Sequence, residues 1–117
     1  MLVIDDEETL GQAIRRYLAQ DHDVDAVTSA RVALEMLAGG ARYDVILCDL
    51  MMPQITGMEL HAEIVRIDTA QAGRIVFLTG GAFTPSARDF LVSTTNRRIE
   101  KPFDLKEVRR LVNELIR

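Results

Sequence analysis

Short apolar runs alternate with longer amphipathic runs along this chain. An alternation of this kind predicts parallel strands, each followed by a helix that packs against the sheet. The apolar runs that we interpret as strands lie at 2–4, 24–27, 45–48, 75–78 and, more weakly, around Ile99. The pattern therefore predicts an α/β fold with five strand and helix repeats.

Two of the apolar runs are uninterrupted, as expected for central strands that are buried on both faces. The run 45–48 ends directly before Asp49, and the run 75–78 ends directly before Thr79. The fifth strand has the weakest pattern, because Ile99 is its only large apolar residue between charged neighbours. Its assignment depends mainly on completing the alternation.

The amphipathic runs carry apolar residues at helical spacing. The last run follows Asp104, a candidate helix cap, and either Thr28 or Ser29 is a candidate cap for the second helix. In the third helical run, Leu60, Ile64 and Ile67 are expected to face the sheet. The last helix has the most regular stripe, formed by Leu105, Val108, Leu111, Val112, Leu115 and Ile116.

Composition narrows the class of protein. The 117 residues are 48% hydrophobic, which suits one compact domain over 1–117. A net charge of -4 argues against direct contact with nucleic acid, and no apolar stretch is long enough to cross a membrane. The single cysteine, Cys48, excludes an intrachain disulfide and a cysteine-based zinc site, and it suggests a reducing, cytoplasmic location.

Polar residues follow the predicted strands at their carboxyl ends. Parallel crossovers place all of these ends at one edge of the sheet, where open α/β folds bind ligands. Asp5 and Asp6 follow the first strand, Asp49 the third, Thr79 the fourth and Lys101 the fifth. We therefore expect these five side chains to lie close together.

Three converging carboxylates repel one another unless a hard cation is bound or their pKa values rise. Mg²⁺ suits a site with oxygen ligands only. The Thr79 hydroxyl and the Lys101 ammonium group would complete a receptor for a phosphoryl group. The most central carboxylate would then be the nucleophile.

Each of these residues also has an ordinary structural explanation. Asp5 and Asp6 could cap the first helix, and Asp49 could form a turn. Thr79-Gly80-Gly81 reads as a turn, and Lys101 could be a solvated surface charge. The ordered combination is harder to explain in this way than any single residue.

We assign no chemical role to the histidines or to the aromatic side chains. The histidines, His22 and His61, have no metal-ligand spacing. The aromatic side chains are expected to belong to the core: Tyr17, Phe77, Phe83 and Phe90.

Four motifs in order resemble the response-regulator receiver domain of bacterial two-component systems. The motifs are Val3-Ile4-Asp5-Asp6-Glu7, Asp49-Leu50-Met51-Met52-Pro53 with Gly57, Thr79-Gly80, and Lys101-Pro102-Phe103. Together they cover essentially the whole chain, and the ordered set is specific although each motif alone is weak. The resemblance implies one doubly wound (βα)5 domain whose parallel sheet has the flavodoxin-like order 2-1-3-4-5.

The resemblance also implies a role for each site residue. Asp49 would accept a phosphoryl group from the phosphohistidine of a sensor histidine kinase or a histidine phosphotransfer domain, and the domain would assist its own phosphorylation and dephosphorylation. Asp6, Asp49 and the Met51 carbonyl would bind Mg²⁺ directly, whereas Asp5 would act through water. Thr79 and Lys101 would hold the phosphoryl oxygens.

Two departures from the family pattern affect the coupling to partners. Receivers usually carry Tyr or Phe three residues before the lysine, as the partner that swings inward behind the threonine, but this chain has Arg98. The stretch 93–97 also lacks the family's Gly-Ala-Asp-like turn. Both features, together with Thr79-Gly80-Gly81, resemble receivers of hybrid sensor histidine kinases, and we expect this chain to be part of a longer protein.

Two other functions remain open at this point. A haloacid-dehalogenase-like phosphatase also uses a strand-end aspartate with Mg²⁺, but its second aspartate would stand where this chain has Met51. A pseudo-receiver would only bind partners, and the intact set of acids, threonine and lysine argues against it. No Gly-rich phosphate loop follows the first strand, so no nucleotide cofactor is expected.

Overall fold

The computed structural model describes residues 1–80 and 84–116 and contains a five-stranded parallel sheet. Its order is β2-β1-β3-β4-β5, which confirms both the α/β class and the sheet order that the resemblance implies. Gly81 and Phe83, which the sequence places in a turn and in the core, lie outside the described residues. The strands are β1 (Leu2–Ile4), β2 (Asp25–Val27), β3 (Ile46–Asp49), β4 (Ile75–Thr79) and β5 (Arg98–Glu100).

Helices connect successive strands, and the connection between β3 and β4 contains one helix more than the alternation predicts. The third helical segment ends at Ile67, because Asp68 adopts an extended backbone conformation. The Asp68 carboxylate then accepts hydrogen bonds from the backbone N–H groups of Ala70 and Gln71 and so starts a second, short helix. The helices are α1 (Glu8–Leu18), α2 (Ala30–Ala38), α3 (Gly57–Ile67), α4 (Thr69–Ala72), α5 (Pro85–Ser93) and α6 (Leu105–Ile116).

The sheet separates two hydrophobic cores. Leu2 and Ile4 of β1 face the core beneath α2, α3 and α5, whereas Val3 faces the core beneath α1 and α6. The central strands are apolar throughout because both of their faces are buried. In the edge strand β5 only Ile99 is buried, which explains its weak pattern and confirms its assignment.

Helix caps agree with the sequence in one case and differ in another. The Asp104 carboxylate accepts a hydrogen bond from the Lys106 N–H at 2.9 Å, as expected of the cap of α6. Ser29 occupies the N-cap of α2, but its side chain makes no capping hydrogen bond. Among residues 1–80 and 84–116, no helix is both long and apolar enough to cross a lipid bilayer.

Gln71 of α4 joins this extra helix to the segment before β3. Its side-chain oxygen accepts a hydrogen bond from the Tyr43 N–H at 2.8 Å, and its amide group donates one to the Tyr43 carbonyl at 3.0 Å. Gln71 is only 5% exposed and both hydrogen bonds are partly buried, so the two backbone groups have limited access to water if the amide is removed. This pair of hydrogen bonds therefore fixes the position of the segment that leads into the central strand β3.

We expect Gln71→Ala to lower the free energy of unfolding by roughly 1–3 kcal/mol, because it leaves two partly buried backbone groups unpaired. Urea denaturation followed by circular dichroism measures the change. Gln20→Ala, at an exposed position after α1, is the matched control and should unfold like the parent protein. Equal midpoints for the Gln71 variant and the control would contradict this role.

Candidate functional site

The strand ends bring the predicted site residues together at one edge of the sheet. Asp5 follows β1, Asp49 is the last residue of β3, and Thr79 is the last residue of β4. Lys101 follows β5, and its backbone N–H donates to the Thr79 carbonyl at 2.7 Å. The parallel register of neighbouring strands thus positions all of these groups at a single level.

Three carboxylates meet at this edge. One oxygen each of Asp5, Asp6 and Asp49 lies within 4.8 Å of the other two. Asp5 and Asp49 are buried, with 1% and 7% exposure, whereas Asp6 is exposed to solvent. Among the described residues, this is the one group of three potential metal-ligating side chains.

Lys101 is the cation that faces these acids. Its Nζ lies 3.1 Å from Asp5 Oδ2 and 3.7 Å from Asp49 Oδ1. Burial alone would lower the pKa of Lys101, but the neighbouring Asp49 and Asp5 carboxylates outweigh it and raise the pKa above its ordinary value. The lysine is therefore charged throughout the physiological pH range.

Asp5 has both carboxylate oxygens engaged within the protein. Oδ1 accepts a hydrogen bond from the Glu7 N–H at 2.9 Å, and Oδ2 pairs with Lys101. The predicted capping role is thus met only in part: Glu7, not an aspartate, is the N-cap of α1, and Asp5 stabilises the turn in front of it. Asp6 has no comparable partner among the hydrogen bonds of the described residues.

The pKa of the Asp49 carboxyl is raised in this site. Burial, followed by the charge of Asp5, raises its pKa from 3.8 to about 6. Lys101 and the Met51 N–H, which donates to Asp49 Oδ1 at 3.4 Å, oppose the rise without cancelling it. One ammonium group is therefore insufficient compensation for three carboxylates, and a divalent cation with oxygen preference fits the remaining charge.

Thr79 contributes a hydroxyl group without a partner. The residue is 1% exposed, and its Oγ1 is buried with no hydrogen-bond partner among the described residues. Buried polar groups are nearly always satisfied, so an unpaired hydroxyl beside a charged cluster points to a missing acceptor. An anionic oxygen that reaches both Thr79 and Lys101 would supply it.

Gly57 lets the loop after β3 close tightly against the strand end. A Cβ atom at this position would lie 2.8 Å from Leu50 Cα and 2.9 Å from the Asp49 carbonyl oxygen. The Gly57 N–H donates to the Leu50 carbonyl at 2.8 Å. The glycine in the sequence motif is therefore required by a close backbone approach that fixes the position of Asp49.

A cleft of about 540 Å³ opens beside Asp6. The segment 28–31 at the start of α2 forms one wall, and the loop residues 52–55 form the other. Gln54 in this loop has a positive φ of 69°, which shapes the turn. Nothing in the hydrophobic pattern signals the cleft, because its walls come from two different strand-to-helix connections.

Arg98 and the histidines lie outside the acidic cluster. Arg98 is exposed on β5 and makes no ion pair within 4.0 Å among the described residues. His22 shares a hydrogen bond of 2.7 Å with Asn113 on the opposite side of the sheet from α3. His61 packs against Phe77 and Phe90 and does not approach the carboxylates.

Comparison with known proteins supports one family. The profile described as the response regulator receiver domain matches residues 1–113. The transcriptional regulatory protein ResD of Bacillus subtilis is 34% identical over 119 residues, which cover 100% of this chain and 48% of ResD. The response regulator ArlR of Staphylococcus saprophyticus is 30% identical, with 100% and 52% covered.

A solved structure agrees with these sequence matches. The response regulator receiver domain protein of Clostridium thermocellum superimposes with a TM-score of 0.82 at 28% identity, covering 98% of this chain and 91% of that chain. In contrast, this chain spans only about half the length of the curated relatives that it matches. The comparison therefore concerns the domain and not the whole of those proteins.

We expect Asp49→Asn to stabilise the metal-free protein at neutral pH. The folded state raises the pKa of Asp49 and so favours its protonated form. Its contribution to the free energy of unfolding is therefore fully present below about pH 4 and is lost as the pH rises through about 6, where the carboxyl ionises. With a chelator present at pH 7, Asp49→Asn should raise the free energy of unfolding by on the order of 1 kcal/mol, a figure reduced for screening by solvent. This gain should vanish below about pH 4. Denaturation at several pH values measures it.

Asp44→Asn, at an exposed position before β3, is the control for the loss of one negative charge. It should have little effect on stability at either pH. An Asp49→Asn protein that is less stable than the parent at pH 7 without metal would show that the carboxylates do not repel one another as inferred.

Proposed function

Since this chain belongs to the response regulator receiver domain family, which serves two-component signalling, we propose that Asp49 is its phosphoacceptor. The donor is the phosphohistidine of a sensor histidine kinase or of a histidine phosphotransfer domain. One observation carries the proposal: Asp49 is the carboxylate that lies among two further acids and the Lys101 ammonium group, on the strand beside that of Thr79.

The transfer converts one phosphorylated residue into another. A carboxylate oxygen of Asp49 attacks the phosphorus atom, and the bond from phosphorus to the donor's imidazole nitrogen breaks. The electron pair of that bond stays on the imidazole nitrogen, and the product on this chain is a mixed anhydride. Lys101 and the unpaired Thr79 hydroxyl then donate hydrogen bonds to the phosphoryl oxygens.

The same residues fit a bound Mg²⁺. We propose Asp6, Asp49 and the Met51 carbonyl as direct ligands and Asp5 as a ligand through water. This division is supported by the two internal partners of Asp5, since its oxygens already pair with Glu7 and Lys101, whereas Asp6 is exposed. When bound, the ion neutralises the carboxylates and the phosphoryl oxygens that approach them.

The competing functions have less support. A haloacid-dehalogenase-like phosphatase would need a general acid two residues after Asp49, and the Met51 side chain has no proton to transfer. A pseudo-receiver would not need a buried acid whose pKa is raised to about 6, a partly buried lysine beside it and an unpaired hydroxyl among the described residues. The phosphoacceptor proposal accounts for all three groups.

Several wider assignments are proposals of the same kind. ResD and ArlR are about twice as long as this chain, so the regulatory roles of those whole proteins are not carried over to it. The proposal that the parent protein is a hybrid histidine kinase is supported by Arg98, the stretch 93–97 and Thr79-Gly80-Gly81. A cytoplasmic location is supported by the free, buried thiol of Cys48, because a reducing compartment keeps thiols unoxidised.

Acetyl phosphate with Mg²⁺, or a phosphorylated kinase, should add one phosphoryl group to this chain, and Asp49→Asn should abolish the addition. The reason is that Asp49 pairs with Lys101 and also ends the strand beside that of Thr79, whereas both oxygens of Asp5 already have protein partners. Intact-protein mass spectrometry measures the label. Asp89→Asn, at an exposed position on α5, should be labelled like the parent, whereas full labelling of the Asp49 variant would remove the proposed acceptor.

Asp6→Ala should weaken Mg²⁺ binding by roughly tenfold or more, and Asp5→Ala should weaken it less. The first substitution removes a direct ligand, whereas the second removes a group that already has two protein partners. Calorimetric titration of each protein with MgCl₂ measures the affinities. Parent-like affinity in Asp6→Ala, or the larger loss in Asp5→Ala, would place the ion differently.

A further inference from the structure

The residue at position 98 is poorly suited to move inward in response to a change at Thr79. Arg98 lies opposite Phe77 in the register of β4 and β5, and its side chain is exposed. The core on this side of the sheet presents Ala87 and Leu91 of α5, which offer no acceptor for a guanidinium group. Turning Arg98 inward would remove its hydration without compensation.

A closed group of three rings occupies the same side of the sheet. This ring cluster consists of His61, Phe77 and Phe90, from α3, β4 and α5. The Phe77 and Phe90 centroids lie 5.2 Å apart with perpendicular planes, and His61 lies 5.4 Å from Phe90 and 6.0 Å from Phe77. Edge-on ring pairs hold a specific relative orientation, so a shift of one ring displaces its neighbours.

The ring cluster lies between the site and α5. Phe77 precedes Thr79 by two residues and therefore points to the same face of β4. His61 belongs to α3, whose first residue Gly57 packs directly on the Asp49 backbone. The strand that carries the Thr79 hydroxyl and the helix that packs against the Asp49 backbone thus each reach Phe90 through a ring contact.

His61 packs in this cluster as an uncharged ring. Partial burial lowers its pKa below the ordinary value, and the Asn96 side chain opposes this shift only in part. Phe77 is fully buried, and Phe90 is half-buried against the same core. Close-packed apolar contacts of this kind change between discrete arrangements and do not deform continuously.

We propose that the ring cluster, and not residue 98, conveys the phosphorylation state of Asp49 to α5. The inference rests on the proposed function. When Thr79 turns its hydroxyl toward the phosphoryl group, the end of β4 moves, the Phe77 ring moves with it, and its edge-on contact shifts Phe90 and α5.

The unmodified protein provides the first test, because its two histidines lie on opposite sides of the sheet. Beryllofluoride with Mg²⁺, as a phosphoryl mimic, should shift the Cε1–Hε1 resonance of His61 and leave that of His22 in place. An unchanged His61 resonance in the saturated protein would overturn the proposal. If the ¹⁹F spectrum shows no bound beryllofluoride at all, the proposed function fails first, and the inference fails with it.

Phe90→Leu provides the second test, since it removes the ring and keeps an apolar side chain. The mimic should change amide hydrogen exchange over 85–93 by at least about threefold in the parent and by less than about twofold in Phe90→Leu, with the mimic still bound. Arg98→Ala should retain the parent response. Tyr17→Leu, which removes a ring on the opposite face, should retain it as well.

A full α5 response in Phe90→Leu would overturn the proposal, and so would loss of the response in Arg98→Ala. Loss of the response in Tyr17→Leu would also overturn it, because that result would assign the effect to general loosening of the fold. The ¹⁹F signal of bound beryllofluoride, recorded for every variant, separates failed coupling from failed binding.

Discussion

Electrostatic repulsion among three carboxylates is the constraint on which this site depends. The parallel sheet delivers Asp5, Asp6 and Asp49 to one edge, and the surrounding core prevents water from screening the two that are buried. Lys101 compensates part of the charge, but burial, followed by the charge of Asp5, still raises the pKa of Asp49. Among the described residues this charge and the Thr79 hydroxyl stay unsatisfied, and these are the features that the proposed cation and phosphoryl group would meet.

The rest of the fold holds these groups against their repulsion. The central strands are buried on both faces, so their ends cannot separate without exposing apolar residues of two cores. Gly57 brings α3 into contact with the Asp49 backbone, and the Gln71 amide fixes the segment that leads into β3. Stability is therefore supplied away from the site, whereas the unfavourable contacts are concentrated within it.

Repulsion at the site and packing behind it are connected through β4. Thr79 and Phe77 project from the same face of this strand, one toward the acids and the other toward α5. Because the Arg98 side chain is exposed, the aromatic contacts on this side of β4 are those of the ring cluster. In the proposed coupling, a change in charge at one end of β4 and a change in packing along the strand are parts of the same local rearrangement.

The sequence by itself determined the strands, the edge and the residue types of the site, because periodicity and strand ends are local properties. It predicted β3 and β4 from their apolar runs, and even the weak β5 from Ile99. It missed α4, which depends on the conformation of Asp68, and assigned His61 no partner. Only the tertiary structure decided which oxygen Lys101 contacts, that Thr79 Oγ1 has no partner among the described residues, and that His61 contacts Phe90, because contacts between distant residues depend on register and side-chain packing.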